Sequence, residues 1–230
     1  MESEISKTND SMILNIQKIF KYLNQLQYEE AFLLSSKIME RKDSGDQLFH
    51  EWVKSLAEFY SCNNKKTAIQ LLEKIKPNKL ENEIHFRIIN SLMGFYIEIE
   101  DEQNFLKYKE ELISNLHILD NNDLLVIILG NISNGYYVFK NYTKSLEYCE
   151  KTIKIMQTNK IFDFKFSKII MIKIMNLLYL GKVEKAKNLQ KDFEAFLKIT
   201  NNLSDKEYLV RAIKKFKEVE NNEKDVKKAL

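Results

Sequence analysis

The sequence is poor in residues that break helices. Its 230 residues hold five glycines and one proline, against roughly 7% and 5% in an average chain. So few breakers exclude frequent tight turns and leave long helices on short connections. Cysteine is scarcer still. Cys62 and Cys149 are the two present. Both read as reduced core residues, which excludes a disulfide framework and suits a reducing cytoplasm. The three histidines, His50, His85 and His117, lie far apart and have no partner one helical turn away. There is no Cys-x-x-Cys, no His-Glu-x-x-His and no glycine-rich phosphate loop. The sequence therefore offers no metal site, no cofactor and no nucleophile–base pair, and it reads as a binding protein rather than an enzyme.

Neither sign of charge dominates. The 36 basic and 33 acidic residues are interspersed and leave a formal net charge of +3, which gives no argument for a nucleic-acid surface. No apolar run approaches the roughly 18 residues that a membrane span needs. The opening MESEISKTNDS lacks the apolar core of a secretory signal. The expectation is a cytoplasmic chain with no membrane partner. Asp120–Asp123 lacks the glycine and glutamate of a calcium loop and reads as a helix-start turn. The acidic run Glu98–Glu102 reads as a solvated turn.

What the chain does have is apolar residues, 44% of it, at helical spacing. The stretch Leu129–Ile155 organises the rest. It predicts two antiparallel helices around a turn at Lys140–Asn141. The first carries Leu129, Ile132 and Tyr136 on one stripe, and the second carries Leu146, Cys149 and Ile153. This pattern resembles a tetratricopeptide (TPR) helix pair. Such a pair wants a large, a small and an aromatic residue on its first helix and two small residues on its second. Here those places hold Leu129, Ser133, Tyr136, Ser145 and Thr152.

One pair cannot bury its own apolar face, so copies should flank it. The first small place of the second helix recurs at Ala31, Ala68, Phe105, Ser145 and Ala186. The spacing is roughly 37 to 41 residues, longer than the ~34 of a standard repeat. The aromatic or large place recurs at Tyr22, Phe59, Tyr96, Tyr136 and Leu177, and Trp52 opens repeat two. Phe105 is the misfit, a bulky side chain where alanine is usual. Capping boxes are expected at Ser44 with Gln47, Asn78 with Glu81, and Ser204 with Glu207. The fold class is all-α: a right-handed α-solenoid of about five TPR-like pairs in a single domain, 1–230. The repeats span about 11–41, 46–76, 80–117, 122–158 and 161–199. A capping helix at about 204–220 closes them, with Leu209, Ile213 and Phe216 buried against repeat five, in a dimer partner, or both.

An array of this kind offers a concave surface lined by the first helix of each pair. The positions offset from the core stripe are His50, Lys54, Ala57 and Tyr60 in repeat two and Arg87, Asn90, Ser91 and Gly94 in repeat three. Repeat four adds Asn131, Asn134 and Tyr137, and repeat five adds Lys168, Met171, Met175 and Tyr179. Side-chain amides both donate to and accept from a peptide backbone. Arg87 or Lys168 suits a carboxylate, and the two methionines adapt to an apolar side chain or fill the core.

Five long TPR-like pairs, a capping helix and a lysine- and asparagine-rich chain together resemble the repeat domain of the Rgg-type and related RNPP regulators of Gram-positive bacteria. The resemblance covers about 11–219. It implies that a short peptide pheromone binds in the concave groove, with Arg87, Asn90 and Asn134 holding its backbone and terminus, and that the chain forms a homodimer. The helix-turn-helix DNA-binding domain of those regulators is missing here, because repeat one starts by Ser11. Direct nucleic-acid binding by this chain is therefore not expected. The chain reads either as a regulatory domain cut from a longer protein or as a stand-alone TPR scaffold holding a protein tail or folded partner.

Overall fold

The computed structural model describes residues 2–39 and 44–229, with side chains described over 12–39, 47–163 and 165–218. Every regular element among them is helical. In chain order these are α1 (Glu2–Asn24), α2 (Tyr28–Met39), α3 (Ser44–Tyr60), α4 (Lys65–Ile75), α5 (Glu83–Glu98) and α6 (Glu102–Asn115). A 3₁₀ turn at Leu116–Ile118 follows, then α7 (Asn122–Val138), α8 (Tyr142–Thr158), α9 (Phe164–Tyr179), α10 (Val183–Ile199) and α11 (Leu203–Ala229). The helices group into two compact units, residues 1–121 and 122–230. Within each unit consecutive helices pack as antiparallel pairs, and first helices also touch the next first helix, α3 on α5 and α7 on α9.

The backbone carries the repeat as clearly as the side chains do. Leu26, Asn63, Glu100, Lys140 and Gly181 all have positive φ, between 53° and 69°. Each sits at the same distance before the small residue of its repeat. The next N–H, on Gln27, Asp101, Asn141 and Lys182, donates to the carbonyl of Tyr22, Tyr96, Tyr136 and Leu177 at 2.8–2.9 Å. This left-handed stop satisfies the last carbonyls of the first helix and turns the chain into the second. Repeat two departs slightly, with Asn64 donating to Glu58 at 2.8 Å.

Only the fifth of these stops uses glycine, so the other four hold a side chain where its Cβ is crowded. Lys140 is exposed there. Lys140→Gly should raise stability by a few tenths to about 1 kcal/mol, and Gly181→Ala should lower it by about 1 kcal/mol. Opposite signs in thermal melts would bear this out, and two destabilised variants would contradict it.

Beyond each stop, the small place is buried in every repeat. Ala31, Ala68, Phe105 and Ser145 have no exposed surface and Ala186 has 1%. Serine serves in repeat four because its hydroxyls are reciprocally satisfied. Ser133 Oγ donates to the Ser145 carbonyl at 2.9 Å, and Ser145 Oγ donates to the Ser133 carbonyl at 2.7 Å. The α7–α8 contact thus stays close without an unpaired hydroxyl. Asn176 extends this group from α9, its amide donating to Ser145 Oγ at 2.7 Å.

Several boundaries differ from expectation. Helix α1 starts at Glu2 rather than near Ser11. Helix α3 begins by Ser44, so the turn expected over Lys42–Gly45 is helical at Ser44 and Gly45, and its first two residues lie outside the described residues. After Pro77 the chain stays irregular to Asn82, which is extended and accepts the His85 N–H at 3.1 Å. Asn82 rather than Asn78 therefore caps α5. Ser204 lies already inside α11, so Asn202 caps that helix, accepting from Asp205 N–H at 3.2 Å and donating to its carboxylate at 2.7 Å. Cys62 is exposed rather than core, because it falls in the turn after α3, whereas Cys149 is buried. Asp120–Asp123 is the turn into α7. Asp101, in the acidic run, caps α6 by accepting from Asn104 N–H at 3.0 Å.

The apolar stripe of α11 is covered within the chain. Leu209 has no exposed surface and Ile213 has 8%. They join Ile170, Ile174, Phe193 and Leu197 in the core of the second unit, with Phe216 packed at its edge. Helix α11 touches both α9 and α10.

Candidate binding residues on the first helices

In the first unit the predicted residues divide into separate environments. His50, on α3, turns toward α2. Its ring stacks on Phe32 with centroids 5.4 Å apart, and its Nδ1 lies 2.9 Å from Ser35 Oγ. Ser35 Oγ also lies 2.8 Å from the Phe32 carbonyl, to which it donates, so the imidazole Nδ1–H is the donor to Ser35. Burial holds His50 below its ordinary value of 6.5, with Lys54 adding in the same direction and Glu51 opposing. The unfolded chain then takes up this proton before the folded one does. The stability tied to His50 is full above about pH 6.5 and is lost as pH falls through the folded value. A His50→Phe chain should show a shallower fall of melting temperature below pH 6.5, and parallel slopes would contradict this.

Arg87, on α5, lies over aromatic rings of α1 and α3. Its guanidinium carbon is 4.5 Å from the Phe20 centroid and 5.8 Å from that of Trp52. Glu83, one turn earlier, is 3.5 Å away. The Trp52 indole N–H donates to Ser91 Oγ at 2.9 Å and ties α3 to α5. Asn90 and Ala57 are buried, and Lys54 is half-buried. Tyr60, at the end of α3, is 43% exposed. It stacks on Tyr28 of α2, with centroids 4.6 Å apart and planes 20° apart.

In the second unit, Asn131, Asn134 and Tyr137 are half-buried on α7, and Lys168 is exposed on α9. Tyr137 and Tyr179 come together at 6.1 Å between centroids. Tyr142 of α8 stacks on Tyr179 at 4.4 Å with planes 5° apart, and Phe216 meets Tyr179 edge-on at 4.9 Å. Burial, reinforced by the neighbouring phenols, pushes the Tyr137 hydroxyl above the usual phenol range. Met171 and Met175 are 8% and 7% exposed and belong to the same core as Leu209 and Ile213. The structure gives them to the core rather than to an open face, since α11 covers them. Among the described residues, no group of three His, Cys, Asp or Glu side chains could hold a metal ion.

Tyr28 and Tyr142 escape a reading confined to first helices. Both lie in the first turn of a second helix, three residues before the small places Ala31 and Ser145. That shared repeat position was the available signal.

No protein-family model matches the chain, and no curated protein sequence matches it. Solved structures do. PlcR of Bacillus thuringiensis in its apo form aligns with a TM-score of 0.78 at 19% identity, covering 91% of this chain and 81% of that one. PlcR in complex with the peptide PapR7 and DNA aligns at 0.76 and 18% identity, covering 87% and 74%. A putative kinesin light chain of Podosopora anserina with nearly identical TPR-like repeats aligns at 0.60 and 14% identity, covering 84% and 97%. The chain shares their fold: an all-α solenoid of TPR-like helix pairs. The resemblance read from the repeats is thus met at the level of fold. No helix among the described residues is long and apolar enough to cross a membrane.

Proposed function

We propose that the chain, acting as a single repeat domain, is the peptide-binding regulatory domain of a cytoplasmic transcriptional regulator of the RNPP type. Its role is binding without catalysis, and it takes a short signalling peptide on the first helices of its repeats. The observation that carries this reading is the fold it shares with PlcR, one structure of which holds the peptide PapR7. The side chains on those helices support it. Asn131 and Asn134 on α7 offer amides suited to a peptide backbone. Arg87 on α5 offers a guanidinium for a carboxylate, with its position set by Phe20 and Trp52. The peptide acts by favouring one arrangement of the regulator over another through its different affinity for the two. Nucleic-acid contact belongs to another domain, and the active form is a homodimer.

A second reading has its own support. The fold also matches a kinesin light chain with TPR-like repeats, which favours a scaffold that holds an intact protein. Ligand size separates the two. On the sensor reading, calorimetry detects saturable binding of a short synthetic peptide, and Arg87→Ala or Asn134→Ala weakens it about ten-fold while the chain stays folded. Binding of an intact protein alone, with short peptides inert, would overturn the sensor reading.

A further inference from the structure

We propose that Tyr28, Tyr60 and Glu98 form a subsite for the basic side chain of a bound peptide, a lysine ammonium or an arginine guanidinium. The inference rests on the peptide-binding reading above and adds the charge of one ligand residue. The three residues come from three helix ends in the first unit. Tyr28 opens α2, Tyr60 ends α3 and Glu98 ends α5. The two rings stack at 4.6 Å, and Tyr60 is also held edge-on by Phe59 at 4.9 Å and Phe95 at 5.8 Å. Phe59 and Phe95 stack on each other at 3.8 Å. The aromatic wall is therefore fixed from behind while Tyr60 remains 43% exposed. A fixed tyrosine ring with part of its surface open to solvent suits a cation, whose charge is attracted to the ring.

The local charge favours the same occupant. Glu98 is exposed and pairs with no cation among the described residues. Glu98 lies one helical turn beyond Phe95, whose ring meets Tyr60 at 5.8 Å, so it follows on the side of α5 that packs on Tyr60. Burial raises both phenols, with Tyr28 adding at Tyr60 and Glu98 adding at both. Two helix C-termini, those of α3 and α5, bring their partial negative ends to this place. The positive end of α2 is offset by Glu29 and Glu30 in its first turn. Lys65 Nζ, 5.5 Å over the Phe59 ring, is a cation already beside this wall, and Glu98 with the two helix C-termini offsets it. The second unit gives an internal contrast. Tyr142 and Tyr179 repeat the stack, but Phe216 meets it edge-on. The same tyrosine pair is thus apolar in one unit and flanked by an unpaired carboxylate in the other.

The test uses the full chain with labelled tyrosine rings, followed by NMR. The probe is N-acetyl-lysine methylamide, with N-acetyl-norleucine methylamide as the uncharged match and glycinamide as a bare amino terminus. Tyr28→Phe and Tyr60→Phe assign the two resonances. The lysine probe should shift both with a saturable millimolar curve, and norleucine and Glu98→Gln should each weaken the effect about five-fold. Equal shifts from norleucine would make the site merely apolar. Stronger shifts from glycinamide would make it an amino-terminus site. No shift, or no effect of Glu98→Gln, would remove it. Each of these overturns the subsite and leaves peptide binding to be decided by whole peptides.

Discussion

Phe105→Ala should destabilise the first unit by about 3–5 kcal/mol, although it restores the residue that TPR repeats prefer at that place. In the other repeats the position holds Ala31, Ala68, Ser145 or Ala186, all buried. In repeat three Phe105 fills it with no exposed surface, on a helix that also buries Tyr108 and Leu112. The helices there have settled around a benzyl group. Truncation removes its transfer free energy and leaves a cavity that neighbours fill only in part. The melting temperature of that transition should fall by about 10 °C or more. An unchanged or raised value would mean that the pair closes around alanine as its counterparts do.

The second large effect is at the end of the chain. Leu209→Ala should cost about 2–5 kcal/mol in the second unit, because Leu209 is fully buried among Ile170, Ile174, Phe193 and Leu197. Helix α11 is held to α9 and α10 largely by Leu209 and Ile213, with Phe216 against Tyr179. Losing that hold also uncovers Met171 and Met175, so the damage spreads into α9. Circular dichroism and light scattering on the same samples separate two roles. Loss of helix and cooperativity places the stripe in the fold of one chain. A folded chain that only changes from dimer to monomer would place it at an interface between copies and contradict the packing described above.

The repeat was legible in the sequence because it rests on sterics that leave few choices. The small places and the large places before them mark where helices press closest, and the left-handed stops at Leu26, Asn63, Glu100, Lys140 and Gly181 fall in step with them. Cap residues were less legible. Asn78 and Asn82 are equally good acceptors on paper, and the irregular stretch after Pro77 decides between them. Met171 and Met175 lie on the face of α9 expected to be open, but α11 covers it, and that packing is a tertiary fact. The meeting of Tyr28 with Tyr60 and Glu98 was not legible for a similar reason, since they lie at the ends of helices from three successive repeats.

The central claim is that the native chain binds a short peptide. The most direct measurement is thermal unfolding of the purified chain against a panel of short synthetic peptides encoded by small reading frames beside its gene. A ligand that binds only the folded state raises the melting temperature with concentration, by mass action. The account predicts a saturable rise with at least one peptide and none with its scrambled sequence. A folded chain whose melting temperature responds to no peptide, while an intact protein is captured and stabilises it, would contradict the account and make the chain a scaffold.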